Sequence, residues 1–174
     1  MAGLGAIAVR TKEAKLAELY DAFAPGAARL AYLLTGDRYL AEDLVQESFL
    51  KMLGRFEHLR RLDSFQAYLN RTVVNLARKH WRRQSLERRY AARERSLSTT
   101  DVVDGPDVET SDELWTAVQR LPYRQRAAIV LRFYEDLSEH QTAELLECSP
   151  KAVRSLVGRA KESLRSLTEQ GVMG

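Results

Sequence analysis

The sequence has few of the residues that build cross-linked or metal-bound folds. Its 174 residues include one cysteine, so no internal disulfide can form, which favours a reducing compartment. Beside that cysteine there are only three scattered histidines, and none of them shows the spacing of metal ligands. We therefore predict no metal site, no other cofactor and a location in the cytoplasm.

Long apolar runs are also missing. No segment approaches the roughly 20 apolar residues that span a bilayer, and the apolar start, MAGLGAIAVRTK, is too short for a signal peptide and lacks its basic leader. We expect no membrane insertion. The sequence likewise shows no phosphate-binding glycine loop, no nucleophile–base pair and no paired catalytic carboxylates, so we expect a protein that is not an enzyme.

Proline and glycine are scarce, β-strand patterns are nearly absent, and helical periodicity dominates the chain. We predict an all-α fold. The expected helices are Lys12–Ala24, Pro25–Leu34, Leu40–Leu53, Ser64–Tyr90, Asp112–Leu121, Tyr123–Phe133, Ser138–Leu146 and Pro150–Thr168.

Charge is distributed in blocks. Nine basic and two acidic residues lie between Arg71 and Arg95, whereas six acidic and no basic residues lie between Ser96 and Glu113. The stretch SLSTTDVVDGPDVETSDE has little apolar periodicity and is typical of a linker. We predict two small helical domains, residues 12–92 and 112–170, joined by a flexible acidic linker over 93–111.

The end of the chain has the spacing of a helix-turn-helix. Ser138 and Gln141 form a capping-box pattern that starts one helix, and Ser149 followed by Pro150 starts the next. The residues from Glu147 to Ser149 suffice for a tight turn between them. The second helix carries several cations and fits a DNA major groove. A plain helical hairpin with a solvated basic face is the alternative.

Two earlier segments have faces of opposite charge. In YLAEDLVQESFLKML, at 100° per residue, one arc is apolar and predicts core: Ala41, Val45, Ser48, Phe49 and Met52. The opposite arc is an acidic stripe that suits either solvent or a basic partner: Asp43, Gln46, Glu47 and Leu50. In FQAYLNRTVVNLARKHWRR, a basic face lies near Tyr68 and Trp81, which suits an unstacked DNA strand unless these aromatics belong to the core.

Three segments in this order resemble the extracytoplasmic-function (group IV) sigma factors of bacterial RNA polymerase, in the sigma-70 superfamily. AEDLVQESFLKML resembles the helix that binds core polymerase, and DSFQAYLNRTVVNLARKHWRR resembles the helix that binds the −10 promoter element. LPYRQRAAIVLRFYEDLSEHQTAELLECSPKAVRSLVGRAK resembles the sigma-4 domain. The resemblance extends from about Leu16 to Leu167 and implies a sigma-2 domain followed by a sigma-4 domain.

The resemblance implies a function in promoter recognition. The partners would be core RNA polymerase, promoter DNA (duplex at −35 and single-stranded at −10) and an anti-sigma factor. Asp43, Gln46 and Glu47 of the acidic stripe would bind core polymerase, and Leu50 joins them because of its position on the helical wheel. The implied −10 residues are Arg60, Arg61, Asp63, Ser64 and Phe65 in a base-capturing loop, with Asn75 on the following helix. The basic face of that helix adds Lys79, Arg82 and Arg83 to the predicted −10 residues. Arg154, Ser155 and Arg159 match the positions that meet the −35 element, and the start of the same helix adds Ser149 and Lys151 to the predicted −35 residues.

The chain departs from the family pattern at three positions. Lys79 stands where an acid or Asn is common, and Leu156 stands where Arg is common. Glu147 replaces the Gly of the turn, which requires a less easily reached backbone conformation or a different turn.

Two other functions remain open: a dimeric operator-binding regulator that does not recruit polymerase and, given the resemblance, a decoy that titrates a sigma antagonist. The charge blocks also suggest that the linker or the acidic stripe partly covers the basic surface when the protein is free.

Overall fold

The computed structural model describes residues 3–53, 62–94 and 113–171, so the predicted linker lies almost wholly outside the described residues. Within these ranges the chain forms helices and no strands, which confirms the all-α prediction. The helices are α1 Gly3–Thr35, α2 Arg38–Leu53, α3 Leu62–Glu94, α4 Glu113–Gln119, α5 Tyr123–Ile129, α6 Glu139–Leu146 and α7 Pro150–Gly171. No helix in the described ranges is long and apolar enough to cross a bilayer.

The first two predicted helices are a single helix, α1, with Pro25 in its interior. The predicted boundary at Pro25 is therefore wrong. Proline removes one backbone donor, and the carbonyl that loses its partner belongs to Asp21. Because Asp21 and Pro25 are both exposed, that carbonyl faces water and the helix continues past it.

The first three helices pack on one another around an apolar core. The α2 residues expected to be buried are buried, including Ser48, whose Oγ donates to the Leu44 carbonyl oxygen at 2.7 Å. Three aromatic rings, those of Phe23, Phe49 and Phe65, pack in series with centroids 5.3 and 5.9 Å apart. Burial of one face on each helix leaves the opposite faces of α2 and α3 available for contacts outside the chain.

The remaining helices pack around α7. The predicted helix Tyr123–Phe133 ends as an α-helix at Ile129 and continues as one π-helical turn, Val130–Tyr134. The amide of Glu135 closes that turn on the carbonyl of Val130 at 3.1 Å.

Helices α1 and α3 contact the C-terminal helices through an interface that we call the interhelix interface. The Trp81 and Tyr123 rings stack with their centroids 5.0 Å apart, and the Tyr32 and Trp115 rings pack with their centroids 5.2 Å apart. Burial raises the pKa of Tyr123 to about 12. Trp81 therefore packs against the core, which agrees with the alternative that this aromatic residue belongs to the core and does not contact DNA.

The predicted base-capturing segment Arg60–Phe65 is not all loop, since α3 begins at Leu62. Arg60 and Arg61 lie outside the described residues. Asp63 and Ser64 belong to the first turn of α3, and the Phe65 ring is 1% exposed. The assignment of Phe65 as a residue that contacts DNA directly is therefore corrected: its ring is held in the core.

This placement predicts that Phe65→Ala lowers the free energy of unfolding by about 3–5 kcal/mol, because a buried aromatic ring is replaced by a cavity. Phe133 is the matched control, since its ring is 58% exposed. Phe133→Ala should cost less than about 1 kcal/mol. Chemical denaturation of the two variants measures both values, and equal losses would contradict the buried position of Phe65.

Candidate nucleic-acid interface

The helix-turn-helix begins with the predicted capping box. The Gln141 amide donates to Ser138 Oγ at 3.1 Å, and the Ser138 amide donates to Gln141 Oε1 at 2.9 Å. The second predicted cap is also present, because the Ala152 amide donates to Ser149 Oγ at 3.1 Å. Both helices therefore start at fixed positions on either side of the turn.

Glu147 forms the turn in a left-handed backbone conformation, with φ 48° and ψ 56°. This conformation costs about 1 kcal/mol for a residue with a Cβ atom. The following amide, of Cys148, donates to the Ala143 carbonyl oxygen at 3.0 Å and closes the end of α6. The Cys148 side chain is half-buried. The turn therefore reaches the left-handed conformation that is usual for glycine, although it contains no glycine.

Helix α7 buries one side and exposes the other. Val153, Leu156 and Ala160 are buried, whereas the residues predicted to bind the −35 element are exposed: Ser149, Lys151, Arg154, Ser155 and Arg159. Leu156, which stands where the resembling family commonly has arginine, is buried, so this position presents no cation on the exposed face of α7.

Two cations predicted to bind the −35 element, Arg154 and Arg159, contact neighbouring side chains in the free protein. Arg154 Nη1 donates to Glu139 Oε2 at 2.7 Å, and Arg159 Nη2 donates to Ser155 Oγ at 3.3 Å. Both guanidinium groups remain accessible and can exchange these partners for phosphate or base edges.

A second basic face lies on α3. Its predicted −10 residues Asn75, Lys79, Arg82 and Arg83 are all exposed. Arg83 pairs with Glu87 at 3.7 Å, one turn further along the helix. The structure thus brings these four residues onto one solvent-facing side of α3, separate from the face of α7.

Sequence reasoning missed the contacts between these two basic elements. Glu147 pairs with Arg78 and, at 3.5 Å, with Arg82 of α3. Its hydrogen bond with Arg78 is the main cause that lowers the pKa of Glu147. Asn70 Nδ2 donates to Glu135 Oε2 at 2.7 Å on the same side of α3. The only signal in the sequence was the replacement of a turn glycine by Glu147.

The acidic stripe of α2 is exposed as predicted, with the Leu50 side chain 66% exposed among its charged and polar neighbours. Glu47 pairs with Lys51 at 3.4 Å. A shallow groove of about 380 Å³ lies beside the stripe, between α1 and α2, and Tyr20, Pro25 and Gln46 line part of it. Among the ion pairs of the described residues, the acid from outside α3 that pairs with its basic face is Glu147, and none comes from the stripe.

The described residues contain no group of three or more His, Cys, Asp or Glu side chains that could hold a metal ion.

Two family models match the chain. Residues 19–87 match sigma-70 region 2, and residues 111–164 match sigma-70 region 4. The first match includes about half of α1, all of α2 and most of α3, and the second match includes the helix-turn-helix.

Several curated proteins are similar to most of the chain. An RNA polymerase sigma-E factor from Streptomyces antibioticus is 31% identical over 142 residues, which cover 78% of this chain and 74% of the relative. An ECF RNA polymerase sigma-E factor from Haemophilus influenzae is 33% identical, with coverage of 79% and 80%. The Streptomyces coelicolor factor BldN is 31% identical, and the match covers only 58% of BldN.

Among solved structures, the fold is similar to the sigma factor RpoE from Bartonella quintana, crystallised with the anti-sigma factor NepR. The TM-score is 0.61 at 21% identity, and the match covers 89% of this chain and 97% of RpoE. The matched regions, the relatives and the fold agree with the motifs on α2, α3 and α6–α7. The chain belongs to the extracytoplasmic-function family of RNA polymerase sigma factors.

Proposed function

We propose that this sigma factor divides promoter recognition between two domains, residues 12–92 and 112–170, joined by the linker over 93–111. The first would bind core polymerase and the −10 element, and the second the −35 element. The observation that carries the proposal is the helix-turn-helix itself, whose second helix buries Val153, Leu156 and Ala160 and presents its cations outward.

At the −35 element, α7 would lie in the major groove. Its first turns carry Lys151, Arg154 and Ser155, and Arg159 follows one turn later. Helices that read DNA in this way use their N-terminal residues for base edges and their cations for phosphates. The two side-chain caps support this role because they fix the start of α7 relative to α6.

At the −10 element, the exposed face of α3 would hold the separated strand. Asn75, Lys79, Arg82 and Arg83 supply polar and cationic groups along about two turns of the helix. The segment that contains Arg60, Arg61, Asp63 and Ser64 would capture one unstacked base, as the family resemblance implies, and the Phe65 ring would support it from the core. Unstacking a base costs a few kcal/mol, which several phosphate contacts offset.

Core polymerase would dock on the acidic stripe of Asp43, Gln46, Glu47 and Leu50. An exposed leucine among acidic and polar groups suits an interface with an apolar centre and a charged rim. The protein would contribute no chemistry of its own and would act where polymerase acts, in the cytoplasm. An anti-sigma protein is the regulatory partner that the family membership suggests.

The first test is transcription by sigma-free bacterial core polymerase on a library of promoter fragments. The protein should yield transcripts that share an upstream and a downstream element. Tight binding to a palindromic duplex without any transcript would instead favour the operator-binding regulator.

In this assay, Asp43→Arg combined with Gln46→Ala should reduce transcripts at least about tenfold, because a cation replaces an acid opposite a basic docking surface. Glu18→Arg is the matched control, since it reverses an exposed acidic charge on α1. The proposed core-binding surface is wrong if both variants initiate as well as the unmodified protein.

At the −35 element, Arg154→Ala should weaken binding to the selected upstream duplex by about 1–3 kcal/mol. Arg165→Ala is the control, because Arg165 lies on the same helix about 16 Å further along its axis, at 1.5 Å per residue. It should leave sequence preference unchanged. Fluorescence anisotropy with matched and scrambled duplexes gives both values, and equal losses for the two variants would contradict the predicted orientation of α7.

A further inference from the structure

The interhelix interface joins the two elements to which the proposed function assigns DNA. Glu147, three residues before the start of α7, contacts Arg78 and Arg82 of α3. The −10 and −35 labels place the two elements about 25 nucleotides apart, or about 85 Å along a straight duplex. One chain cannot keep the Glu147 contacts with α3 and also bind both promoter elements. The arrangement in which Glu147 contacts α3, which we call the closed state, therefore belongs to the free protein.

The Glu147 carboxylate binds as a phosphate would. It accepts from Arg78 with one oxygen and lies 3.5 Å from Arg82 Nη1 with the other. Two arginines one helical turn apart, both directed at one bidentate anion, form the arrangement that recognises phosphate in other proteins. The Arg78 side chain is 15% exposed and the Arg82 side chain 60% exposed, so the pair has a desolvated side and a side open to solvent.

The interhelix interface also leaves some buried polar atoms without hydrogen-bond partners. Among the described residues, three buried polar atoms at or beside it have no hydrogen-bond partner: Arg78 Nη1, Trp115 Nε1 and Tyr123 Oη. Each such atom loses its hydration without replacement, which weakens the closed state relative to a well-packed core. The unused Arg78 Nη1 is in addition a donor that a tetrahedral phosphate, with its larger number of oxygens, can reach when the turn moves away.

We propose that Arg78 and Arg82 form a binding site for a backbone phosphate of the separated promoter strand, and that the Glu147 carboxylate occupies this site in the free protein. DNA and the helix-turn-helix then compete for one pair of guanidinium groups. The proposal rests on the proposed function, and it adds Arg78 to the residues that hold the strand. Release of Glu147 frees α7 at the same time, because the turn and the helix are continuous.

The test is the affinity of the full chain for a labelled single-stranded DNA of mixed sequence, measured by fluorescence anisotropy at low salt. Glu147→Gln keeps the shape of the side chain and removes its charge, and it should tighten binding about threefold to fivefold, the range of an exposed ion pair. Glu144→Gln removes the same charge from an exposed residue of the same helix-turn-helix and should leave the affinity unchanged. Equal affinities for the two variants would overturn the competition.

A second comparison tests the site itself. Adding Arg78→Gln to the Glu147→Gln variant should abolish the gain in affinity, while circular dichroism verifies that the helices are retained. If the double variant binds as tightly as Glu147→Gln alone, Arg78 is not a phosphate ligand and the assignment is wrong.

The chain carries its own probe of opening, because its two tryptophans both lie at the interhelix interface. Single-stranded DNA should shift their emission to longer wavelength and increase quenching by acrylamide. Glu147→Gln should show part of that change before DNA is added, and Glu144→Gln should show none. Emission that DNA leaves unchanged would overturn the proposal that binding displaces the turn.

Transcription with core polymerase separates failure of this proposal from failure of the proposed function. If the unmodified protein initiates while Glu147→Gln and Glu144→Gln bind single strands equally, only the competition is wrong. If none of the three proteins initiates or binds, the proposed function and the competition fail together.

Discussion

The burial of one face on each helix is the constraint on which the arrangement of this protein depends. Helices α2, α3 and α7 each place apolar side chains inward, and the residues that cannot be buried must then collect on the opposite side. On α7 this side carries cations, on α3 it carries cations with Asn75, and on α2 it carries acids. One packing requirement thus produces three charged surfaces whose positions are fixed by the core.

The glutamate at the turn, Glu147, affects both the backbone conformation of the turn and the contact with α3. Glycine would adopt the left-handed conformation at lower cost, but it would present no side chain to α3. Glutamate accepts the cost of about 1 kcal/mol and places a carboxylate between two arginines. That carboxylate is ionised at neutral pH, since its pKa is lowered below the ordinary value. The ion pair therefore contributes at neutral pH and is lost only as the pH falls through the lowered pKa.

The parts of the fold that sequence predicted are those decided by local patterns. The capping box at Ser138, the second start at Ser149 and the division of α2 into a buried and an exposed arc depend on residues within one or two turns. The interruption expected at Pro25 was wrong because a helix can leave one carbonyl to water when that side is exposed. The π-helical turn after Ile129 was missed because it depends on how the segment packs.

The predictions for the candidate site divide in the same way, into features set by local patterns and contacts between residues distant in the chain. Exposure of the predicted residues on α3 and α7 follows from periodicity, whereas the contacts of Arg78, Asn70 and Trp81 depend on residues about 40 to 70 positions away in the chain. Phe65 illustrates the limit, because a motif marks a position as important without distinguishing a ring that contacts DNA from a ring that is buried in the core.

The interhelix interface combines contacts that differ in how easily they separate. Ring stacking at Trp81 and Tyr123 buries apolar area and favours closure at any charge state. The Glu147 pairs are exposed on one side and weaken with salt, and the unpartnered polar atoms oppose closure. Apolar contacts hold this interface together, and the Glu147 ion pairs make it sensitive to competing anions. An anion that replaces the Glu147 carboxylate can therefore separate the two groups of helices without disturbing the core of either group.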